Sequence, residues 1–130
     1  MQQVRGNLTA AIIQECRKKL LTFKQDILNR IRNSTQQYGL SLASRETSGD
    51  EIDQAVTQLE EHSFLVSQDR MRQQLIEIEL ALGRIESGTF GICEETEEPI
   101  ETDRLIAIPW TRLSIEGAEL RESMSHRYAR

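Results

Sequence analysis

Gly49-Asp50-Glu51-Ile52-Asp53-Gln54-Ala55 opens a run that continues to about Ser87 without a proline. The run ends in a heptad: Met71, Leu75, Ile78, Leu82 and Ile85 recur at steps of four and three, the spacing that keeps apolar side chains facing a partner helix. Its early stripe is weaker, at Ile52, Val56, Leu59 and Val66. Ser48 or Asp50 is the expected N-cap, and acids in the first turn complement the positive end of the helix dipole.

A second periodic run lies upstream. Leu8, Ile12, Cys16, Leu20, Phe23, Ile27 and Ile31 fall on one stripe, which predicts a helix from about Leu8 to Arg32. The polar stretch from Asn33 to Gly49, with Gly39 and Gly49 in it, reads as a connector. Two helices joined this way form an antiparallel hairpin over residues 1–87, with its tip near residues 34–55.

Composition agrees with that reading. Among 130 residues, 38% are hydrophobic, 5% aromatic and 28% charged, which fits a mainly α chain with a thin core and exposed helices. No apolar run is long enough to span a bilayer, and Met1 to Asn7 has no apolar segment of a secretion signal, so the expectation is a cytoplasmic protein without a membrane partner. The distant Cys16 and Cys93 do not form a disulfide framework. Cys16, on the first stripe, reads as a small buried hydrophobe.

The net charge of -5 is unevenly spread. Residues 1–32 hold seven bases against two acids, whereas residues 46–69 hold seven acids and no base. Opposite arms of a hairpin attract each other, but an acidic tip repels phosphates, which disfavours direct sequence-specific binding to duplex DNA. An enzyme built on Cys93 needs a base to activate the thiol, yet His62 lies along the long helix and His126 in the C-terminal tail, so an enzyme is not expected.

After Gly88 the periodicity breaks. Gly88 to Thr96 is a glycine-punctuated turn, the alternation from Ile100 to Ile108 allows a short strand or hairpin, and a helical pattern returns from about Thr111 to Arg127 with Leu113, Ala118 or Gly117, Leu120 and Met124 on its face. Residues 88–130 thus read as a small knob plus a C-terminal helix, with Phe90, Ile92, Ile100, Leu105, Ile106, Ile108, Trp110 and Leu113 as its core.

Two motifs here resemble a known family. Gly88-x-Phe90-Gly91-x-Cys93, then Pro99-Ile100, then Arg104-Leu105-x-Ala107-x-Pro109, is similar to the zinc-finger segment of the DksA/TraR family of bacterial transcription factors, and Asp50-x-x-Asp53-x-Ala55 resembles that family's coiled-coil tip. The resemblance covers roughly residues 8–125. It implies a mainly α fold: a long antiparallel two-helix coiled-coil hairpin, a small degenerate zinc-finger-like knob and a C-terminal helix. It also implies a monomer that binds RNA polymerase through the secondary channel, with Asp50, Asp53 and Ala55 acting at the tip near the active site and Arg70 gripping the channel rim. Promoter-complex stability and initiation, as at ribosomal RNA promoters, would be its target. A coiled-coil adaptor or dimerisation protein is the alternative.

The chain departs from the family pattern where zinc binds. Zinc-bearing members close the finger with four cysteines, but here Cys93 is joined by Thr96, Ser114 and Gly117, and hydroxyls are poor zinc ligands. No structural zinc is expected. The family's co-regulator ppGpp uses basic residues that align with Glu77, Ile108 and Ala118, none of which is basic. A pyrophosphate needs Lys or Arg donors, so the resemblance implies weak ppGpp dependence through that site.

Overall fold

The computed structural model describes residues 8–44 and 51–128. Four helices follow in order: α1 (Ala10–Ala43), α2 (Glu51–Ser87), α3 (Thr102–Ala107) and α4 (Ile115–Tyr128). The fold is mainly α, with α1 and α2 forming the long antiparallel hairpin that the two stripes imply. Asp50, in the tip motif, and Ser48, the other candidate cap, lie outside the described residues.

The first helix runs eleven residues past its expected end at Arg32. The apolar stripe stops at Asn33, yet helix persists to Ala43 because the residues contain no proline and an aromatic side chain, Tyr38, finds a partner on α2. Helices α1 and α2 therefore have nearly equal lengths, 34 and 37 residues. Gly88 terminates α2 in the left-handed region at φ 81°, while its N–H donates to Ile85 O and that of Thr89 to Arg84 O. This two-bond closure satisfies the carbonyls of Arg84 and Ile85, and the positive φ favours a residue without a Cβ at that position.

The segment expected to be a strand is the short helix α3 instead. Only an isolated antiparallel bridge, Ile92 to Pro99, occurs among the described residues. The helix wins because α1 supplies partners for its free end carbonyls: Lys19 Nζ donates to Ile106 O at 2.9 Å and Cys16 Sγ to Leu105 O at 3.6 Å.

The chain divides into two compact units. Unit 1 comprises residues 1–23 and 77–130. Leu8, Cys16, Leu20, Ile78, Ala81, Phe90, Cys93, Ile100 and Leu105 are buried within it. Of the expected knob core, Phe90, Ile100 and Leu105 are buried and the other five half-buried. Phe23 meets Trp110 edge to face at 5.5 Å between ring centres. The face proposed for the last helix is more open, since Leu120 and Met124 are exposed.

Unit 2 is residues 24–76, made of the second part of α1 and the first part of α2. Tyr38 stacks on Phe64 at 4.1 Å, and Gln68 Nε2 donates to Thr35 Oγ1 at 3.3 Å. These contacts set the seam of α2 on Phe64, Gln68, Met71 and Leu75. The early stripe expected at Ile52, Val56, Leu59 and Val66 does not join it: all four side chains are exposed. At 100° per residue those positions lie well around the helix from Phe64 and Gln68, so heptad spacing alone identified a stripe but not its direction.

Candidate functional site

The sequence singles out three groups of residues, the tip and rim positions in unit 2 and the degenerate metal positions and ppGpp-aligned positions in unit 1. In unit 2, Glu51 and Asp53 lie in the first turn of α2, where carboxylates complement the helix dipole. Asp53 and Ala55 are both exposed. Two residues apart on a helix, they point in nearly opposite directions, so a partner must meet the helix end from more than one side to touch both. Arg70 is exposed on the same helix, about 25 Å along its axis from Asp53 at 1.5 Å per residue.

In unit 1, the loop that begins at Gly91 and the start of α4 bring the four degenerate metal positions together. Backbone bonds from Cys93 N to Glu98 O, at 2.8 Å, and Ile100 N to Gly91 O, at 2.8 Å, close the loop on itself. Glu94 N donates to Arg112 O at 2.9 Å, tying it to the segment before α4. Cys93 is buried and free at the centre, and Thr96 N donates to its Sγ at 3.5 Å. Ser114 caps α4: its Oγ accepts the Gly117 N–H at 3.0 Å, satisfying a donor of the first turn. A Cβ placed on Gly117 would collide with Cys93 Sγ and stand 3.3 Å from Ser114 Oγ. The sulfur fills the space that a fourth ligand's side chain would need.

This geometry sets the electrostatics of the thiol. Burial pushes the Cys93 pKa up, but hydrogen bonds with Ser114 and Thr96, from their side chains and backbone, outweigh it and lower the value to about 6. Cys16 goes the other way: burial, then the carboxylate of Glu15, raise its pKa, against the lowering influence of Lys19. The four positions do not fit zinc. They offer one thiolate, two hydroxyls already engaged in hydrogen bonds and no fourth side chain, and no group of three His, Cys, Asp or Glu among the described residues could hold a metal.

Glu77, one of the three positions aligned with the ppGpp site, is paired rather than merely acidic. Arg112 grips it through two bonds, Nε to Oε1 at 3.0 Å and Nη2 to Oε2 at 2.9 Å, with Glu94 4.0 Å from the same guanidinium. Arg84 lies nearby and donates to Trp110 O and Thr111 O at 3.3 and 3.4 Å. Burial lowers the Arg84 pKa first, while Glu94 and Glu77 oppose that shift and Arg112 adds to it. Ile108 and Ala118 are half-buried. The Arg112 partnership had no sequence signal, because 35 residues separate the two; the Ser114 cap did have one, a serine directly before a helical run.

Matches to known proteins cover one segment of unit 1 in one case and most of the chain in the others. The family model described as the prokaryotic dksA/traR C4-type zinc finger matches residues 88–122. The RNA polymerase-binding transcription factor DksA of Caulobacter vibrioides is 36% identical over 108 residues, 82% of this chain and 72% of that protein. An uncharacterized protein of Aquifex aeolicus is 38% identical over 118 residues, 90% of this chain and 81% of that one. Among solved structures, transcription factor DksA2 of Pseudomonas aeruginosa superposes with a TM-score of 0.76 at 31% identity, covering 90% of this chain and 88% of that one.

Proposed function

This chain belongs to the DksA/TraR family, and from that membership we propose that it is a transcription regulator that binds RNA polymerase through the secondary channel and acts with the tip of its hairpin. The observation that carries the proposal is the unbroken helix α2, which presents Asp53 and Ala55 exposed in its first two turns within a chain similar to an RNA polymerase-binding factor over most of its length. Asp50, Asp53 and Ala55 are the tip residues of this reading and Arg70 the rim contact. Asp53 carries a charge that can perturb basic or Mg²⁺-linked groups of the enzyme without performing chemistry itself, and Ala55 permits close approach. The regulator changes the lifetime of promoter complexes, as at ribosomal RNA promoters. It works as a monomer in the cytoplasm, is not an enzyme and does not read DNA sequence directly. Residues 1–87 serve as the inserting hairpin and 88–130 as the knob.

Two finer statements belong to the same proposal. The knob is held without structural zinc, because Cys93, Thr96 and Ser114 complete one another by hydrogen bonding and Gly117 leaves room for the sulfur. The response depends weakly on ppGpp, because Glu77 is negative and its Arg112 partner is committed to it.

In vitro transcription from a ribosomal promoter tests the assignment, with the wild type and Asp53→Asn compared and polymerase binding measured separately. The expected result is loss of the transcriptional effect with binding retained, and an equal wild-type response with and without ppGpp. An Asp53→Asn protein as active as the wild type refutes the tip assignment; strong ppGpp synergy refutes the second statement.

A further inference from the structure

Unit 2 is unevenly packed along its own length. Among its described residues the buried side chains are Ile27, Gln68 and Met71. Across residues 39–44 and 51–63 no side chain is buried; Ser41 and Thr57 are half-buried and the others exposed. Leu40, Ile52 and Leu59 are 68, 75 and 70% exposed. Next along the seam comes the Tyr38–Phe64 stack, its rings 8° from parallel. One turn further lies Gln68, only 3% exposed, whose Oε1 has no partner although its Nε2 reaches Thr35.

We propose that the turn-side end of the hairpin, residues 39–44 and 51–63, opens and recloses as a unit, with the Tyr38–Phe64 stack as its latch and the Ile27 and Met71 layers as the limit of opening. In proteins most helical stability comes from packing of a buried face rather than from propensity, and residues 51–63 of α2 bury almost nothing. Segments with few buried apolar contacts open at the low end of a protein's range of local stabilities. The Thr35–Gln68 layer favours the same motion, because a buried acceptor left unmet in the closed form is hydrated in the open one. Opening therefore passes the latch, reaches Gln68 and stops where apolar side chains are buried on both helices. Asp53 and Ala55 ride on the opening segment, so a partner that grips them also orders it; this consequence rests on the polymerase reading, whereas the opening itself does not.

Hydrogen exchange read by mass spectrometry on the full chain, without polymerase, tests the inference. Amides of residues 54–63 are expected to exchange roughly 100-fold faster than those of 71–82. Phe64→Ala should speed exchange over 61–70 roughly tenfold and leave 78–85 unchanged. Phe64→Leu, which keeps apolar bulk but removes the stack, should act in the same direction, and Gln68→Leu should slow exchange over 64–71. Uniform protection along α2, or folded Phe64 variants with the wild-type profile, overturns the proposal. Neither result bears on the transcriptional test of Asp53, so the two readings fail separately.

Discussion

Unit 1 and unit 2 are built from the same two helices but use them differently. In unit 1 the helices meet a loop-rich segment, and the contacts are specific: Lys19 and Cys16 on the carbonyls of α3, Arg112 on Glu77, Arg84 on two backbone oxygens, Ser114 on α4. Among the described residues of unit 2 two helices pack on each other, and three side chains are buried. A stretch with little to bury can leave acidic and apolar side chains available to a partner. Stability is thus concentrated in the unit that holds the knob, and exposure in the unit that holds the tip.

The largest test of this contrast sets two leucines side by side. Leu20 is wholly buried in unit 1, and Leu20→Ala should cost about 3 kcal/mol, the transfer loss plus the cavity. Leu59, 70% exposed, should tolerate alanine within about 0.5 kcal/mol. Urea unfolding of both variants reads the difference. If Leu59→Ala proves as costly as Leu20→Ala, the turn-side end of unit 2 is packed in solution and the contrast fails.

The sequence carried most of the α1 stripe, since Leu8, Cys16, Leu20 and Ile27 are buried and Ile12 and Ile31 half-buried, while Phe23 is exposed. It carried α2 well only from Met71 onward. Ile52, Val56 and Leu59 also repeat at four and three, but periodicity reports that a face exists without reporting what covers it. The seam near the turn is instead made of Tyr38, Phe64, Thr35 and Gln68, two aromatics and two polar residues that no apolar pattern selects. The strand expectation at 100–108 failed for a related reason: α3 is held by side chains of α1 some 90 residues away, a tertiary contact that local alternation cannot contain. In the knob, the convergence of Cys93, Thr96, Ser114 and Gly117 followed from the family's spacing. What that spacing left open was how the cluster holds together without its missing thiols, and the answer lies in a helix cap and an absent Cβ.

A second test asks whether the thiol sharpens the stability of unit 1. The Cys93 pKa of about 6 lies below the ordinary thiol value, so the folded state prefers the thiolate. The sign follows: the stabilisation is fully present above the unfolded thiol value, near 8.5, and is lost as pH falls through 6. Between about pH 6 and 8 the unfolding free energy should therefore rise, with a limiting slope of about 1.4 kcal/mol per pH unit. Cys93→Ser should flatten that rise, measured by urea unfolding across the same window. A flat wild-type profile would mean that the sulfur acts by packing alone.

The smallest expected effect concerns Glu77. Its pair with Arg112 is bidentate, but both side chains are about one third exposed, 35 and 33%, so solvent screens the attraction. Glu77→Gln should lower the stability of the chain by roughly 0.5–1 kcal/mol, and by less at high salt. Glu94, already 4.0 Å from Arg112, is placed to take over part of the pairing, which keeps the loss small. A loss of about 3 kcal/mol or more would instead mark the pair as effectively buried, with a desolvated guanidinium left unmatched when its partner is removed. That result would widen the contrast between the units, because a charge pair would then join the apolar core in fixing unit 1. The expected small loss leaves the core, and the thiol at the centre of the knob, as what holds it.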